Sequence, residues 1–270
     1  MPGLILKNRA AVALNGPEAA GFLQGLITNN IHAAEGGKAI YAALLTPQGK
    51  YLFDFFIFGA GEGFLFDCEA ARLDELIKRL TFYKLRADVT IEDISDKTDI
   101  WAFADDPGLK GSVYPDPRID GRMGFRGFLP KGEKVEETWA FEDYEALRLG
   151  LGLPDGSRDI EVDKRFILEA NFAELGGVDF NKGCYVGQEM TARMTYRGSL
   201  KKRLLPVTLG GALPAPGDAL LSGGKDAGHF CSGSGNAAIA LIRLEYLNQP
   251  LATGAGDKVT VTVPDWLEIS

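Results

Sequence analysis

The chain has 270 residues, of which 46% are apolar and 24% charged. That balance is ordinary for a globular protein and excludes a disordered chain, a collagen and a disulfide scaffold. Its formal charge of −8, from 29 basic and 37 acidic residues, makes it a poor general nucleic-acid binder, because phosphate binding needs a positive field.

The length predicts about two domains. Residues 9–14 read as a short strand. Gly16, Pro17 and Glu18 then open a helical pattern through Phe22, Leu23, Leu26 and Ile27, with Pro17 in the tolerated first turn, ended by Asn29 and Asn30. Residues 39–45 and 51–58 are apolar and aromatic around Thr46-Pro47-Gln48-Gly49, a hairpin signal. A turn over 59–63 leads to a strand at 64–68 and a helix over 70–83, where Leu73, Leu76, Ile77 and Leu80 fall at helical spacing. Residues 89–94 return to a strand. Residues 105–120 are a Pro-, Gly- and Asp-rich loop, 139–149 a helix, 150–159 a loop, and 161–170 a weak helix or extended segment. After residue 200 short segments at 204–209, 219–222, 237–244 and 258–263 alternate with Gly- and Pro-rich turns, which reads as a small all-β module. The Gly-Ser-Gly near 231–235 reads as one of those turns. The boundary falls near 198–203, giving units 1–198 and 199–270. The first unit mixes hairpins and helices without strict βαβ alternation, an α+β pattern.

No apolar run reaches the ~20 residues of a membrane helix. The start carries no basic stretch followed by a long apolar core, so no signal peptide is expected. Cys68, Cys184 and Cys231 are odd in number and far apart, which fits free thiols and a cytoplasmic protein. With two histidines and no paired Cys or His spacing, no metal site is expected. No long heptad or exposed apolar strip stands out, so a monomer is expected.

The densest segment is LGGVDFNKGCYVGQEMTARMTYRGSLKKR at 175–203. Gly183 flanks Cys184, and Gly187 follows closely, which permits unusual backbone angles and close approach of a ligand. A helix starting around Gly187-Gln188-Glu189 and a lysine two residues away would make the Cys184 thiol more acidic; a buried, inert cysteine is the alternative. Lys182, Arg193, Arg197, Lys201, Lys202 and Arg203 stand against Glu189 alone. That suits an anionic partner, or a solvated linker face between domains. Gln188 and Glu189 offer an amide and a carboxylate that could read a polar heterocycle, or cap and solvate the helix.

KGCYVGQE at 182–189, followed by Thr191, Arg193 and Arg197-Gly198, resembles the signature of the YgfZ family. These are folate-binding proteins related to the glycine-cleavage T-protein (aminomethyltransferase) and to mitochondrial iron–sulfur assembly factors. FLQGLITNNI at 22–31, TPQGKYLFDFFIF at 46–58, FYKLRADVTIED at 82–93, LRLGLGLPDG at 147–156 and KKRLLPV at 201–207 extend the resemblance over nearly the whole chain. It implies a three-lobed T-protein-like (GcvT-like) α+β architecture around a central channel, with a C-terminal β-barrel. It also implies tetrahydrofolate, or a one-carbon derivative, as cofactor. Carried over residue by residue, Cys184 matches the family cysteine, with Lys182, Tyr185, Gly187, Gln188 and Glu189 around it. Two aromatic folate contacts fall at Arg9 and Tyr144, so Arg9 departs from the pattern. The T-protein's catalytic aspartate stretch corresponds to 49–54, with Phe53 replacing one aspartate and Asp54 retained. A glutamate just after Leu-Arg-Leu in the T-protein is Gly150 here.

The resemblance thus implies a folate-binding accessory protein for iron–sulfur client enzymes, tRNA-modifying ones included, that meets nucleic acid only indirectly and no membrane. Cys184, Lys182 and Asp54 are the expected catalytic residues. Arg9, Tyr144, Tyr185, Gly187, Gln188, Glu189, Arg193 and Arg197 are the expected folate contacts. The alternatives are a tetrahydrofolate-dependent aminomethyl or one-carbon transferase, and a non-catalytic scaffold that docks a client protein or tRNA.

Overall fold

The computed structural model describes residues 3–109, 113–198 and 200–269. In chain order, the strands of the first part are β1 (Gly3–Ile5), β2 (Arg9–Asn15), β3 (Ala39–Leu45), β4 (Tyr51–Ala60), β5 (Gly63–Glu69), β6 (Thr90–Asp93), β7 (Thr98–Phe103), β8 (Val113–Pro115) and β9 (Phe125–Pro130). Helix α1 (Ala19–Gln24) follows β2, and α2 (Leu73–Lys84) follows β5. Helices α3 (Phe141–Leu151) and α4 (Gln188–Arg197) lead to the last strands: β10 (Lys202–Leu209), β11 (Ala219–Ser222), β12 (Lys225–Ser234), β13 (Ala237–Arg243), β14 (Leu251–Ala252) and β15 (Lys258–Val261). They form an antiparallel five-stranded sheet of order β3-β4-β5-β2-β6, an antiparallel four-stranded sheet of order β1-β7-β9-β8, and a closed six-stranded barrel, β10-β13-β12-β11-β14-β15. Among the described residues no helix is long and apolar enough to cross a membrane.

The five-stranded sheet is buried on both faces, which is why β4 reads as an apolar run broken only by Asp54 rather than as an alternating one. Period two still sorts its residues. Phe53, Phe55 and Ile57 of β4, with Val12 and Leu14 of β2 and Phe66 of β5, pack under α1 and α2 through Leu23, Leu76 and Leu80. The opposite face carries Tyr41, Phe56, Phe58 and Ala11 and packs toward the four-stranded sheet, α3 and the barrel. Register places Tyr41 against Phe56, Phe56 against Asp67, and Asp67 against Ala11. Asp67 thus sits in the middle of an inward row.

Helix α2 has Asp74 and Glu75 in its first turn and Lys84 in its last, signs that suit the helix dipole. It stops at a β-turn in which the Lys84 carbonyl accepts from the Ala87 N–H at 2.8 Å. Leu85 there has φ 46° and ψ −105°, a geometry that favours glycine at the first central position of a type II′ turn.

Three sequence expectations change. The helix expected through Ile27 stops at Gln24, because Ile27 leaves it to bridge Leu44 at the edge of β3. The turn expected over 231–235 is confined to its end: residues 231–234 continue β12, with a register shift between Phe230 and Gly233 that glycine accommodates, and Gly235, at φ 59°, opens the turn into β13. The loop expected over 105–120 contains β8, and its residues 110–112 lie outside the described set. Strands β1, β7 and β9 carried no signal that was recognised; they are short, and β9 includes Arg126, Gly127 and Pro130.

Candidate functional site

Charged residues on the inward face of the five-stranded sheet meet those of the four-stranded sheet and of the segment after α3. Asp67 of β5, with a fully buried side chain, accepts from Arg9 Nε at 2.5 Å and from Arg126 Nη1 of the four-stranded sheet at 2.5 Å. Arg126 also donates to Asp116 at 3.1 Å and to the Tyr144 hydroxyl of α3 at 2.8 Å. Arg118 donates to both Asp116 oxygens, at 3.0 and 2.8 Å. The guanidinium carbons of Arg126, Arg118 and Arg9 lie 3.9, 4.8 and 5.8 Å from the Phe56 ring centroid. A second cluster ties α3 to the barrel: Arg148 donates to Glu145, Asp159, the Leu153 carbonyl and the Ser232 hydroxyl of β12. The Asp159 carboxylate accepts in turn from the Ser232 N–H at 2.8 Å.

Pairing overrides desolvation here. Burial alone would raise the Asp116 carboxyl, but Arg118 and then Arg126 bring it down to about 2. A depressed carboxyl adds stability that is present above its unfolded value and is lost as pH falls through the folded value. For Asp116 this amounts to about 2 kcal/mol, lost between roughly pH 4 and pH 2. The stability advantage of the wild type over Asp116→Asn, measured by urea unfolding, is therefore expected to narrow by about 2 kcal/mol on acidification from pH 5 to pH 2. A pH-independent difference would contradict the pairing.

Cys184 lies elsewhere, on the loop before α4, and is exposed. Its neighbours are anchored. Lys182 is buried and its Nζ donates to the Ile27 and Asn29 carbonyls, each at 2.7 Å. Burial, opposed only by Asp179, lowers the Lys182 amine to about 8. Tyr185 is buried, and Val186 N–H donates to the Gly25 carbonyl at the end of α1. Gly187, at φ 83°, starts α4; a Cβ there would come within 2.5 Å of the Thr46 carbonyl, so the close approach requires glycine. The thiol therefore stands on a short exposed span between fixed points. Cys68 and Cys231 are buried, and burial pushes each thiol up to about 12.

The expected residues thus fall into two places. Lys182, Cys184, Tyr185, Gly187, Gln188 and Glu189 share the loop and first turn of α4, with Lys182 directed into the five-stranded lobe. Arg9, Asp54 and Tyr144 lie at the lobe junction. Both Asp54 oxygens are occupied there, by the Tyr41 and Tyr51 hydroxyls at 2.8 and 2.7 Å. Arg193 is exposed on α4, and the side chain of Arg197 lies outside the described residues. The cationic segment is thinner than its charge count, because Lys182 is buried and Arg203 pairs with Glu174 at 2.7 Å. Asp67, Asp116, Arg118, Arg126 and Arg148 were missed; for Asp67, Arg126 and Arg148 the available signal was an ionic residue inside an apolar strand or helix face, whereas Asp116 and Arg118 lie in the loop after β8 and carried none. The largest depression, about 1080 Å³, is lined by turns rich in glycine and contains none of the expected residues.

The junction does not fit a pterin as it stands. A polar heterocycle needs unspent donors and acceptors, yet Arg9, Asp54 and Tyr144 bond one another's neighbours, and the rings of Phe56 and Tyr41 are covered by guanidinium groups. Among the described residues the buried side-chain atoms without a partner are Trp101 Nε1, Glu174 Oε2 and Arg243 Nε, none of them in this network.

The architecture has a counterpart among solved structures. The crystal structure of glycine cleavage system aminomethyltransferase T from Bartonella henselae superposes with a TM-score of 0.78, covering 99% of this chain and 86% of that one at 18% identity. The expected T-protein-like class is thus the fold of this chain. The family model described as CAF17, C-terminal beta-barrel domain, matches residues 201–269. The mitochondrial iron-sulfur cluster assembly factors IBA57 of Mus musculus and Homo sapiens are each 34% identical to the chain, over 97% of it and 84% of each relative. The IBA57 homolog of Pyricularia oryzae is 31% identical with the same coverage. The chain belongs to the IBA57 family of iron–sulfur cluster assembly factors. This corrects the cytoplasmic expectation: these relatives are named as mitochondrial, and free thiols suit any reducing compartment, so they did not single out the cytoplasm.

Proposed function

We propose that this chain assists iron–sulfur cluster assembly by offering the Cys184 thiolate as a ligand to a cluster in transit between a carrier and a client enzyme. The observation that carries this reading is the exposed thiol on a loop pinned at Lys182, Tyr185 and Gly187. Among the described residues no three His, Cys, Asp or Glu side chains assemble as a metal site. Clusters are commonly held by four thiolates, so the other ligands would come from the partner. As the Cys184 Sγ–iron bond forms, the thiol gives up its proton, and the carrier thiolate that leaves the iron takes one up. The sequence resemblance extends the clients to tRNA-modifying enzymes, reached by protein contact, in keeping with an acidic body.

The test is complementation of cells lacking the chain, with iron–sulfur enzyme activity as the readout for the wild type against Cys184→Ala. Kinship of fold alone does not carry transferase activity across. Tetrahydrofolate and its methylene form, titrated calorimetrically into the purified protein, are expected to give no saturable heat. One-to-one binding would restore the folate-binding reading, and one-carbon transfer to or from the bound folate the transferase reading.

A further inference from the structure

We infer that the C-terminal end of α2 is a docking point for a protein partner carrying an apolar socket rimmed by carboxylates. Phe82 is 70% and Leu85 87% exposed, the largest exposures among the large apolar residues described, bar Tyr196 beside Phe82 in rank. The helix's own packing does not account for them, because Leu76 and Leu80 already fill its buried side. Leu85 occupies the turn position that favours glycine, so the fold holds a strained leucine and points it at solvent. Around these two knobs stand Lys78, Arg79, Lys84 and Arg86, four cations against Asp88 and Glu18 just beyond the turn, in a chain of charge −8. A local field opposite in sign to the rest of the body selects an acidic counterpart and steers its approach. Exposed apolar side chains inside a polar rim are the usual anatomy of a protein contact.

The position deepens the proposed function, on which this inference rests. Helix α1 touches both places. At its start the Glu18 carboxylate accepts from the Asp88 N–H at 2.5 Å, just beyond the α2 turn, and at its end Gly25 accepts from Val186 in the Cys184 loop at 3.2 Å. Six helical residues span about 9 Å. Gly21 and Gly25 are exposed and carry no side chain over this stretch. A partner held by Phe82 and Leu85 would thus lie alongside the thiol. Two apolar side chains fall far short of the face an interfacial helix buries in a bilayer, and the acidic body opposes an anionic surface, so a protein is favoured over a membrane.

The probe is a synthetic helical peptide with two leucines four residues apart among glutamates, titrated into the full chain and followed by fluorescence anisotropy and amide shifts. Saturable binding is expected, with shifts centred on 78–87. Phe82→Ser/Leu85→Ser and Lys78→Glu/Arg86→Glu are each expected to weaken it at least tenfold, and the charge reversal also flattens its salt dependence. Leu85→Gly is expected to weaken binding while raising Tm by about 2 °C, which separates lost contact from lost fold. Absent binding, or equal binding by the variants, overturns the proposal. So does Leu85-dependent capture on vesicles of 70% phosphatidylcholine and 30% phosphatidylglycerol without peptide binding, or a Leu85-dependent dimer in sedimentation. Cys184→Ala is expected to bind the peptide as the wild type does. If that variant also supports full enzyme activity, the thiol reading falls and the docking point stands.

Discussion

Cys184→Ala is expected to bring iron–sulfur enzyme activity in complemented cells down at least tenfold, to the level of the empty control, while the protein accumulates normally. The thiol is exposed and stands outside the core, so its removal leaves no cavity. Cys184→Ser is expected to fail as fully, because a hydroxyl is not a soft ligand for iron. Lys182→Met is expected to lose activity differently: it frees the Ile27 and Asn29 carbonyls, loosens the loop, and lowers stability and activity together. Thiol labelling checks the geometry directly. Iodoacetamide at neutral pH should modify one cysteine in the native protein and all three in denaturant, since Cys68 and Cys231 are buried. Full activity of Cys184→Ala would remove the thiol from the mechanism and leave a scaffold.

Asp67→Ala is expected to destabilise the fold by about 3 kcal/mol, because it takes the nearest carboxylate from two buried guanidinium groups at once, leaving Arg126 with Asp116 and Arg9 with Asp155 at 4.0 Å. That is a large part of the ~5–15 kcal/mol that holds a typical domain together. Asp67 joins Arg9 of its own sheet to Arg126 of the next, so the loss should loosen the seam between lobes as well as the five-stranded sheet. Adding Arg126→Met to Asp67→Ala is expected to recover part of the loss, since it removes one of the stranded charges. Urea unfolding of the single and double variants measures both effects. A change below about 1 kcal/mol in Asp67→Ala would mean that the pair contributes no more than an exposed ion pair.

The unevenness of what could be read from the chain has physical causes. The β3–β4 hairpin and β5 were legible as strand-length apolar runs bounded by turn residues, and α2 because Leu73, Leu76, Ile77 and Leu80 keep helical spacing. The start of α4 was legible from Gly187 and the polar run after it. Strands β1 and β8 are three residues each, too short for a period to show, and the end of β12 was merged with the turn that Gly235 opens because a bulge and a tight turn both call for glycine. Lys182 looked like a partner for the thiol because the two are neighbours in sequence; their side chains instead part, one toward backbone carbonyls 153 and 155 residues away, the other into solvent.

By itself the sequence determined the β3–β4 hairpin, β5, α2, the α+β class, an all-β module after residue 200 and the family motif around Cys184, since each rests on residues close together in the chain. Tertiary structure alone decided which charges meet. Arg9, Asp67, Arg126 and Tyr144 come from four different elements and Asp116 from the loop between β8 and β9, and only the packing of the two sheets and α3 onto one another closes their network. The same packing decided that Phe82 and Leu85 remain outside: apolar character states that burial is favourable, but the number of places under a helix is set by the surface it packs against.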